Sequence, residues 1–99
     1  MRRIHISSDV EADIESIWEF IASDNPAAAT RLRQRILNAF ESIARNPAIG
    51  HTRKDLAPQP TLFWPLGNYL ILYRDLGIHI EIIAVTQGSR DIPTFLRSR

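Results

Sequence analysis

The sequence contains no cysteine, which removes two classes of protein from consideration. Disulfide-stabilised folds and metal sites built on thiolates both require this residue. The histidines His5, His51 and His79 are far apart along the chain and do not follow the spacing of zinc ligands. We therefore expect neither a metal nor a cofactor.

The chain also lacks an excess of charge and a long apolar run. Twelve basic residues nearly balance eleven acidic ones, which argues against direct binding to nucleic acid. No apolar stretch approaches the roughly 18 residues of a membrane span, and the basic start at Arg2-Arg3 has no apolar core behind it. We expect a cytoplasmic protein without membrane contact, with residues 1–99 forming a single domain.

Three β-type runs organise the predicted fold: Leu62–Trp64, Tyr69–Tyr73 and Ile78–Val85. Gly67-Asn68 and Asp75-Leu76-Gly77 separate them and have turn chemistry. Since connections this short join neighbouring antiparallel strands, the runs predict a meander.

The first half of the chain adds one strand and two helices. Alternation over Arg3–Ser7 predicts the strand, and Ser8 with Glu11 matches a capping box for an acidic helix. A basic helix is predicted over Pro26–Arg45, with Asn25 as its cap. Opposite charges on helices joined by a tight turn favour an antiparallel hairpin.

A basic loop, from Gly50 to about Thr61, and a short helix over Asp91–Leu96 complete the predicted order, β-α-α-β-β-β-α. Residues 97–99 are expected to fray. A helical hairpin packed on one face of a mainly antiparallel four-stranded sheet is an α+β fold.

No enzyme motif is present: the sequence lacks a glycine-rich phosphate loop, a nucleophile elbow and a zinc-protease helix. RNA cleavage without a metal needs cations for the phosphorane and a proton-transfer pair. Cations are available, but no proton-transfer pair is evident near them. The set of interest is basic and aromatic, and comprises Arg53, Lys54, Trp64, Tyr69, Tyr73, Arg74, Arg90 and Arg97.

Two of these groups have more than one interpretation. Tyr69 and Tyr73 share one face of a strand, where packing under the helices is favoured over a binding role. Arg90 either forms an ion pair with Asp91, which would cap the last helix, or binds a partner.

The run from Phe63 to Arg74, then Ile80–Val85 and Gly88–Asp91, has a characteristic order and spacing. The helix start at Ala12-Asp13-Ile14 and the segment Asn46–Gly50 fit the same pattern. Over nearly the whole chain, this pattern resembles the RelE/ParE toxins of bacterial type II toxin–antitoxin modules.

The resemblance implies a growth-inhibiting toxin, of the kind that stabilises plasmids, neutralised in a hetero-oligomer by a co-encoded antitoxin. That antitoxin would wrap an extended and helical segment around the toxin. Two activities are known in the family. RelE-like members cut messenger RNA on the ribosome, whereas ParE-like members inhibit DNA gyrase and have no nuclease site.

Position by position, the sequence is closer to the ParE-like branch. Leu70 stands where RelE-like toxins commonly have an arginine, and Phe95 where they often have a histidine or tyrosine. Gln87 replaces a histidine that many members have shortly before the Arg-Asp pair. Only Arg90 matches a commonly functional position, so we expect a gyrase inhibitor that is not an enzyme.

The expected target contacts are Arg74, Arg90 and Arg97. Two alternatives remain open. The first is a ribosome-dependent endoribonuclease, and the second is an inactive interaction module. The ribonuclease would use Arg53, Lys54, Arg74 and Arg90.

For the antitoxin, we expect contacts on the helical hairpin and the sheet. Arg31 and Arg35 are placed to pair with acidic antitoxin residues, although a solvated helix face explains them equally well. Leu37 and Ala44 are spare apolar positions for a groove, and Trp64 is the expected contact on the sheet.

Overall fold

The computed structural model describes residues 1–58 and 60–99, so that Gln59, inside the predicted basic loop, lies outside the described residues. The predicted element order is confirmed, with one short strand added. The elements are β1 (Arg3–Ile6), α1 (Ser8–Ala22), α2 (Pro26–Arg45), a 3-10 turn (Pro47–Ile49), β2 (His51–Thr52), β3 (Leu62–Leu66), β4 (Tyr69–Asp75), β5 (His79–Gln87) and α3 (Ile92–Arg97).

The strands form one sheet in the order β1-β5-β4-β3-β2. β1 runs parallel to β5, and the other pairs are antiparallel. The predicted α+β fold is confirmed, but the sheet has five strands instead of four. The additional strand, β2, lies in the segment predicted as a loop, because two residues are too few to show an alternating pattern.

A bulge between β4 and β5 decides which side chains of β5 face the helices. Leu72 pairs with Ala84 and Tyr73 pairs with Ile82, which leaves Ile83 without a partner. The extra residue lets Ile82 and Val85 pack in the same core cluster although they are three apart.

The helices α1 and α2 cover one face of the sheet and bury its aliphatic side chains. Arg33 on α2 forms an ion pair with Glu15 on α1, at 2.9 Å between Nη2 and Oε2, as the opposite charges of the helices predict. The buried cluster consists of Val10, Ile36, Ala39, Phe40, Ile43, Ile71, Tyr73, Ile80, Ile82 and Val85.

One helix cap was predicted one residue too late. The N-cap of α1 is Ser7, whose hydroxyl accepts from the Val10 N–H at 3.3 Å, so the predicted Ser8–Glu11 capping box is wrong. Adjacent serines are equally good caps, and the end of β1 at Ile6 decides between them. Asn25 caps α2 as predicted, accepting from the Ala28 N–H.

Tyr73 is a core residue, which confirms the packing interpretation for this tyrosine. Its ring is fully buried, and its hydroxyl donates to the Pro47 carbonyl at 2.7 Å and accepts from the Gly50 N–H at 2.9 Å. Burial raises the pKa of this hydroxyl. A side chain at position 50 would overlap the tyrosine hydroxyl, so the approach requires glycine.

The opposite face of the sheet has a thinner cover, made of α3 and the segment after β2. The buried residues here are Ala57, Phe63, Leu72, Ala84 and Ile92. This cover leaves the start of β5 and the end of β4 accessible on that face, where the side chains are polar. The predicted target-binding arginines lie around this thinner layer.

Candidate target-binding surface

α3 packs on the sheet mainly through the buried Ile92, and Asp91 caps its first turn. Ile92 is buried against the sheet. The Asp91 carboxylate accepts from the Thr94 hydroxyl at 2.9 Å and from its N–H at 3.2 Å, and these bonds lower the pKa of Asp91. Asp91 is therefore the cap, as one interpretation predicted. It forms no ion pair with Arg90 in the described part of the chain.

Arg90 is exposed and makes a cation–π contact with Phe95. Its guanidinium carbon lies 4.6 Å from the ring centroid. The guanidinium carbon of Arg99 lies over the same ring at 5.0 Å. A cation–π contact uses none of the N–H donors of a guanidinium, which can then bind carboxylates or phosphates.

Arg99 is fixed by Asp13 of α1, contrary to the expectation that residues 97–99 fray. The two side chains form a bidentate pair with N–O distances of 2.8 and 2.5 Å. They are only 19% and 12% exposed, respectively. Asp13 also accepts from the Val85 N–H at 3.1 Å, and Arg99 donates to the Ile83 carbonyl. The pairing of β5 with β1 ends at Ile82. Beyond that point, Asp13 and Arg99 bond the backbone groups of Val85 and Ile83 on this edge of β5.

Arg74 lies on the same side of the sheet as α3, near the end of β4. Its side chain is half-buried, and its Nε is buried without a hydrogen-bond partner. In the register of the sheet it pairs with Glu81, which pairs on its other side with His5. These three residues line a pocket of about 200 Å³ together with Arg99.

Arg97 is exposed on α3 and donates to the Thr94 hydroxyl at 3.1 Å. Like Arg74 and Arg90, it has no carboxylate partner within the described residues. The arginines that do have one are Arg2, Arg33, Arg45, Arg53 and Arg99. Arg90 and Arg97 lie at α3, and Arg74 lies on the same side of the sheet. None of the three forms an ion pair within the described residues, and the same holds for Arg3, Arg31 and Arg35.

Arg53 and Lys54 lie elsewhere. Arg53 follows β2, the strand at the far edge of the sheet, where the end of β2 lies level with Ile82 in the middle of β5. Arg90 instead comes after Gln87, the last residue of β5. From strand spacing and rise, the separation is on the order of 20 Å. The Asp55 carboxylate hydrogen-bonds Arg53, which raises the pKa of Arg53 and lowers that of Asp55. The four residues of the ribonuclease alternative are therefore not brought together.

A cleft of about 460 Å³ separates α1 from the end of β5. Tyr69 and Arg90 lie at its sheet side, and Phe20 of α1, which is 70% exposed, lies at the other. Tyr69 is half-buried, so the packing interpretation that holds for Tyr73 applies to it only in part.

The predicted antitoxin contacts occupy different surroundings. Arg31 and Arg35 are exposed on α2, and Leu37 is 42% exposed on the same helix. Trp64 is half-buried on β3, with its ring stacked against that of His51. Ala44 was wrongly placed in a surface groove: it is 1% exposed, because α2 packs closely against the start of β1 there.

Sequence reasoning missed two associations that join distant parts of the chain. Asp13 and Arg99 are 86 residues apart, and no local pattern links them. His5 and His79, widely separated in sequence, have ring centroids 6.1 Å apart across the β1–β5 pair. The alternation of β1 and β5 could have placed His5, His79 and Glu81 on one face, but only once the pairing of these strands was known.

The described residues contain no group of three side chains suited to hold a metal ion. Within residues 1–58 and 60–99, no helix has both the length and the apolar character needed to cross a bilayer.

Comparison with known proteins gives one family and one fold. A family model described as the ParE toxin of the type II toxin–antitoxin system parDE matches residues 4–92. A solved structure titled "Chromosomal ParDE TA system from P. aeruginosa" superposes with a TM-score of 0.73, at 18% identity, over 88% of this chain and 96% of that one. At this identity the likeness supports the fold alone. The chain has no significant match among curated proteins.

Proposed function

We propose that this chain, which belongs to the ParE toxin family of type II toxin–antitoxin systems, arrests growth by binding and inhibiting DNA gyrase. Family membership makes the chain the toxin of such a system and gives it an antitoxin as partner. Gyrase as the target, and the cytoplasm as the place of action, are the parts that we propose.

The observation that carries the proposal is a set of three arginines on the α3 side of the sheet that form no ion pair within the described residues: Arg74, Arg90 and Arg97. Arg90 and Arg97 are exposed, and the Arg74 Nε is buried without a partner. A guanidinium without a carboxylate partner retains its capacity for charge-assisted bonds, which are about twice as strong as neutral ones. This layer suits an acidic partner surface.

The surroundings of Arg90 favour binding over RNA cleavage at this residue. Phe95 and Leu70 carry no titratable group, and Gln87 cannot transfer a proton at ordinary pH. Arg53 and Lys54 are too distant to assist Arg90, as the register of the sheet indicates. A cation without a proton-transfer pair stabilises charge but does not activate the 2′-hydroxyl.

The test is inhibition of gyrase-catalysed supercoiling of relaxed plasmid by the purified protein. We expect Arg90→Gln to raise the half-inhibitory concentration about tenfold or more, since one charge-assisted hydrogen bond contributes roughly 1.5–3 kcal/mol. Arg45→Gln is the matched control, because Arg45 is exposed at the far end of α2. Supercoiling that continues unchanged at toxin concentrations far above those of gyrase would refute the proposal.

A second candidate, endoribonuclease activity, is favoured by one observation. Glu81 lies between His5 and Arg74 in the sheet register, and this row supplies a carboxylate, an imidazole and a cation side by side. Glu81 would accept the 2′-hydroxyl proton, His5 would protonate the leaving 5′-oxygen, and Arg74 would stabilise the phosphorane.

RNA incubated with the protein, with and without translating ribosomes, tests this candidate. Cleavage that leaves a 2′,3′-cyclic phosphate and is lost in Glu81→Gln, but not in Glu19→Gln on α1, would support it. Intact RNA under both conditions excludes it.

An inactive interaction module is tested in cells. Induced expression of the chain should arrest growth, and co-expression of the neighbouring reading frame should relieve the arrest. Normal growth despite soluble, folded protein would favour the inactive module and contradict both activities.

A further inference from the structure

Arg90 is held in place by side chains that lie outside the predicted target-binding set. The guanidinium carbons of Arg90 and Arg99 both lie over the Phe95 ring, at 4.6 Å and 5.0 Å from its centroid. The negative face of an aromatic ring attracts a cation placed over it. The position of Arg90 therefore depends on where Phe95 and Arg99 lie.

Arg99 is itself tightly fixed. Two bonds to Asp13 and one to the Ile83 carbonyl engage its guanidinium, and its side chain is 19% exposed. Asp13 is fixed in turn by the Val85 N–H. A chain of contacts thus runs from the backbone of β5 through Asp13, Arg99 and Phe95 to Arg90.

Such a chain matters because a free arginine loses rotamer entropy when it binds. A planar guanidinium that is already oriented loses less, and ordering before binding is a general route to higher affinity. The cation–π contact with Phe95 uses none of the N–H donors of Arg90, which therefore stay available to a partner.

We propose that Phe95 and Asp13 are positioning residues, which order Arg90 for binding to the target and thereby connect α1 to the target-binding surface. The functional part of this inference rests on the proposed function. Phe95 acts on Arg90 directly through its ring, whereas Asp13 acts through Arg99. Neither residue needs to touch the target.

The order of Arg90 can be measured without any target. Phenylglyoxal modifies accessible arginines, and mass spectrometry gives the rate at each one. We expect Phe95→Leu to raise the modification rate of Arg90 about two- to fivefold, the equivalent of one exposed cation–π contact. Phe95→Tyr, which keeps the ring, should retain the rate of the native protein.

Asp13→Asn is a second variant that leaves the α3 core intact. It should raise the modification rate of Arg99 strongly and that of Arg90 by a smaller factor. Arg97, which is not stacked, is the control within each spectrum. Its rate should not change in any of these variants.

Supercoiling inhibition then tests the functional part. Phe95→Leu should raise the half-inhibitory concentration about two- to fivefold, with Phe95→Tyr restoring it, and should have no further effect in an Arg90→Ala background. A purely structural role for Phe95 would give the same loss in both backgrounds.

The outcomes separate the two proposals. If the native protein does not inhibit gyrase, the proposed function fails, and the modification rates still decide on positioning. Unchanged rates at Arg90 in both Phe95→Leu and Asp13→Asn would overturn the inference. So would an additive loss of inhibition in the Phe95→Leu/Arg90→Ala double variant.

Discussion

On one face of the sheet, two long helices bury a continuous aliphatic core, whereas on the other a six-residue helix and a loop cover a much smaller cluster. On the first face the buried Tyr73 hydroxyl is paired with the backbone, whereas the Trp18 indole N–H of α1 has no partner within the described residues. On the second, Arg74 and Arg90 have no carboxylate partner within the described residues. The larger buried core lies under the two long helices, and under the proposed function the target-binding arginines lie on the α3 side of the sheet.

The largest expected effect is a loss of folding stability from a substitution in the core beneath the two long helices. Ile43 is fully buried between α2 and the sheet, so Ile43→Ala should lower the free energy of unfolding by about 2–5 kcal/mol. Urea denaturation measures this loss. Leu37→Ala on the same helix is the control, because Leu37 is 42% exposed and should cost much less. Equal losses would show that the aliphatic cluster is not the main source of stability.

A smaller effect concerns the buried hydroxyl. Tyr73→Phe removes one donor and one acceptor bond and leaves the Pro47 carbonyl and the Gly50 N–H unpaired, which should cost about 1–3 kcal/mol. Burial raises the pKa of Tyr73 in the folded state. Its neutral form therefore stabilises the fold below the ordinary tyrosine pKa of about 10, and this contribution is lost as the pH rises through the folded-state value.

The stability loss in Tyr73→Phe and its pH dependence are both tested by measuring the free energy of unfolding in urea. The native protein and the variant are compared between pH 8 and about 11. The stability of the native protein should fall more steeply with rising pH than that of the variant. Parallel pH profiles would contradict the assignment of the hydroxyl to a buried, neutral role.

The smallest expected effect lies at the cap of α3. The Thr94 bonds lower the pKa of Asp91 in the folded state, so its ionised form stabilises the fold above the unfolded-state pKa of about 4. That contribution is lost as the pH falls through the folded-state value. Asparagine also caps helices but does not ionise, so Asp91→Asn should show a weaker loss of stability in acid. An unchanged acid profile would refute this role.

The sequence correctly predicted the strands, turns and helices that are specified by neighbouring residues. The β-type runs of β4 and β5, the turn at Gly67 and the Asn25-Pro26 helix start predicted their elements correctly. The start of α1 was wrong by one residue, since Ser7 and Ser8 differ only in where β1 ends.

The sequence predicted only part of the candidate surface. Only Arg90 was named from a matching family position, whereas Arg74 and Arg97 were named as nearby basic residues. All three lie on the α3 side of the sheet, and their role in target binding stays a prediction. Arg99 was missed because its partner, Asp13, lies at the other end of the chain. The His5–Glu81–Arg74 row depends on a parallel strand pairing that local patterns do not specify.

The most direct test of the contrast between the two faces compares Arg90→Gln with Tyr73→Phe in two assays, unfolding by urea and inhibition of gyrase supercoiling. We expect Arg90→Gln to lower the free energy of unfolding by no more than about 1 kcal/mol, the strength of one exposed cation–π contact, while raising the half-inhibitory concentration about tenfold or more. Tyr73→Phe should lose stability but inhibit normally where it remains folded. Inhibition by Arg90→Gln at the native level would contradict the assignment of target binding to the α3 face.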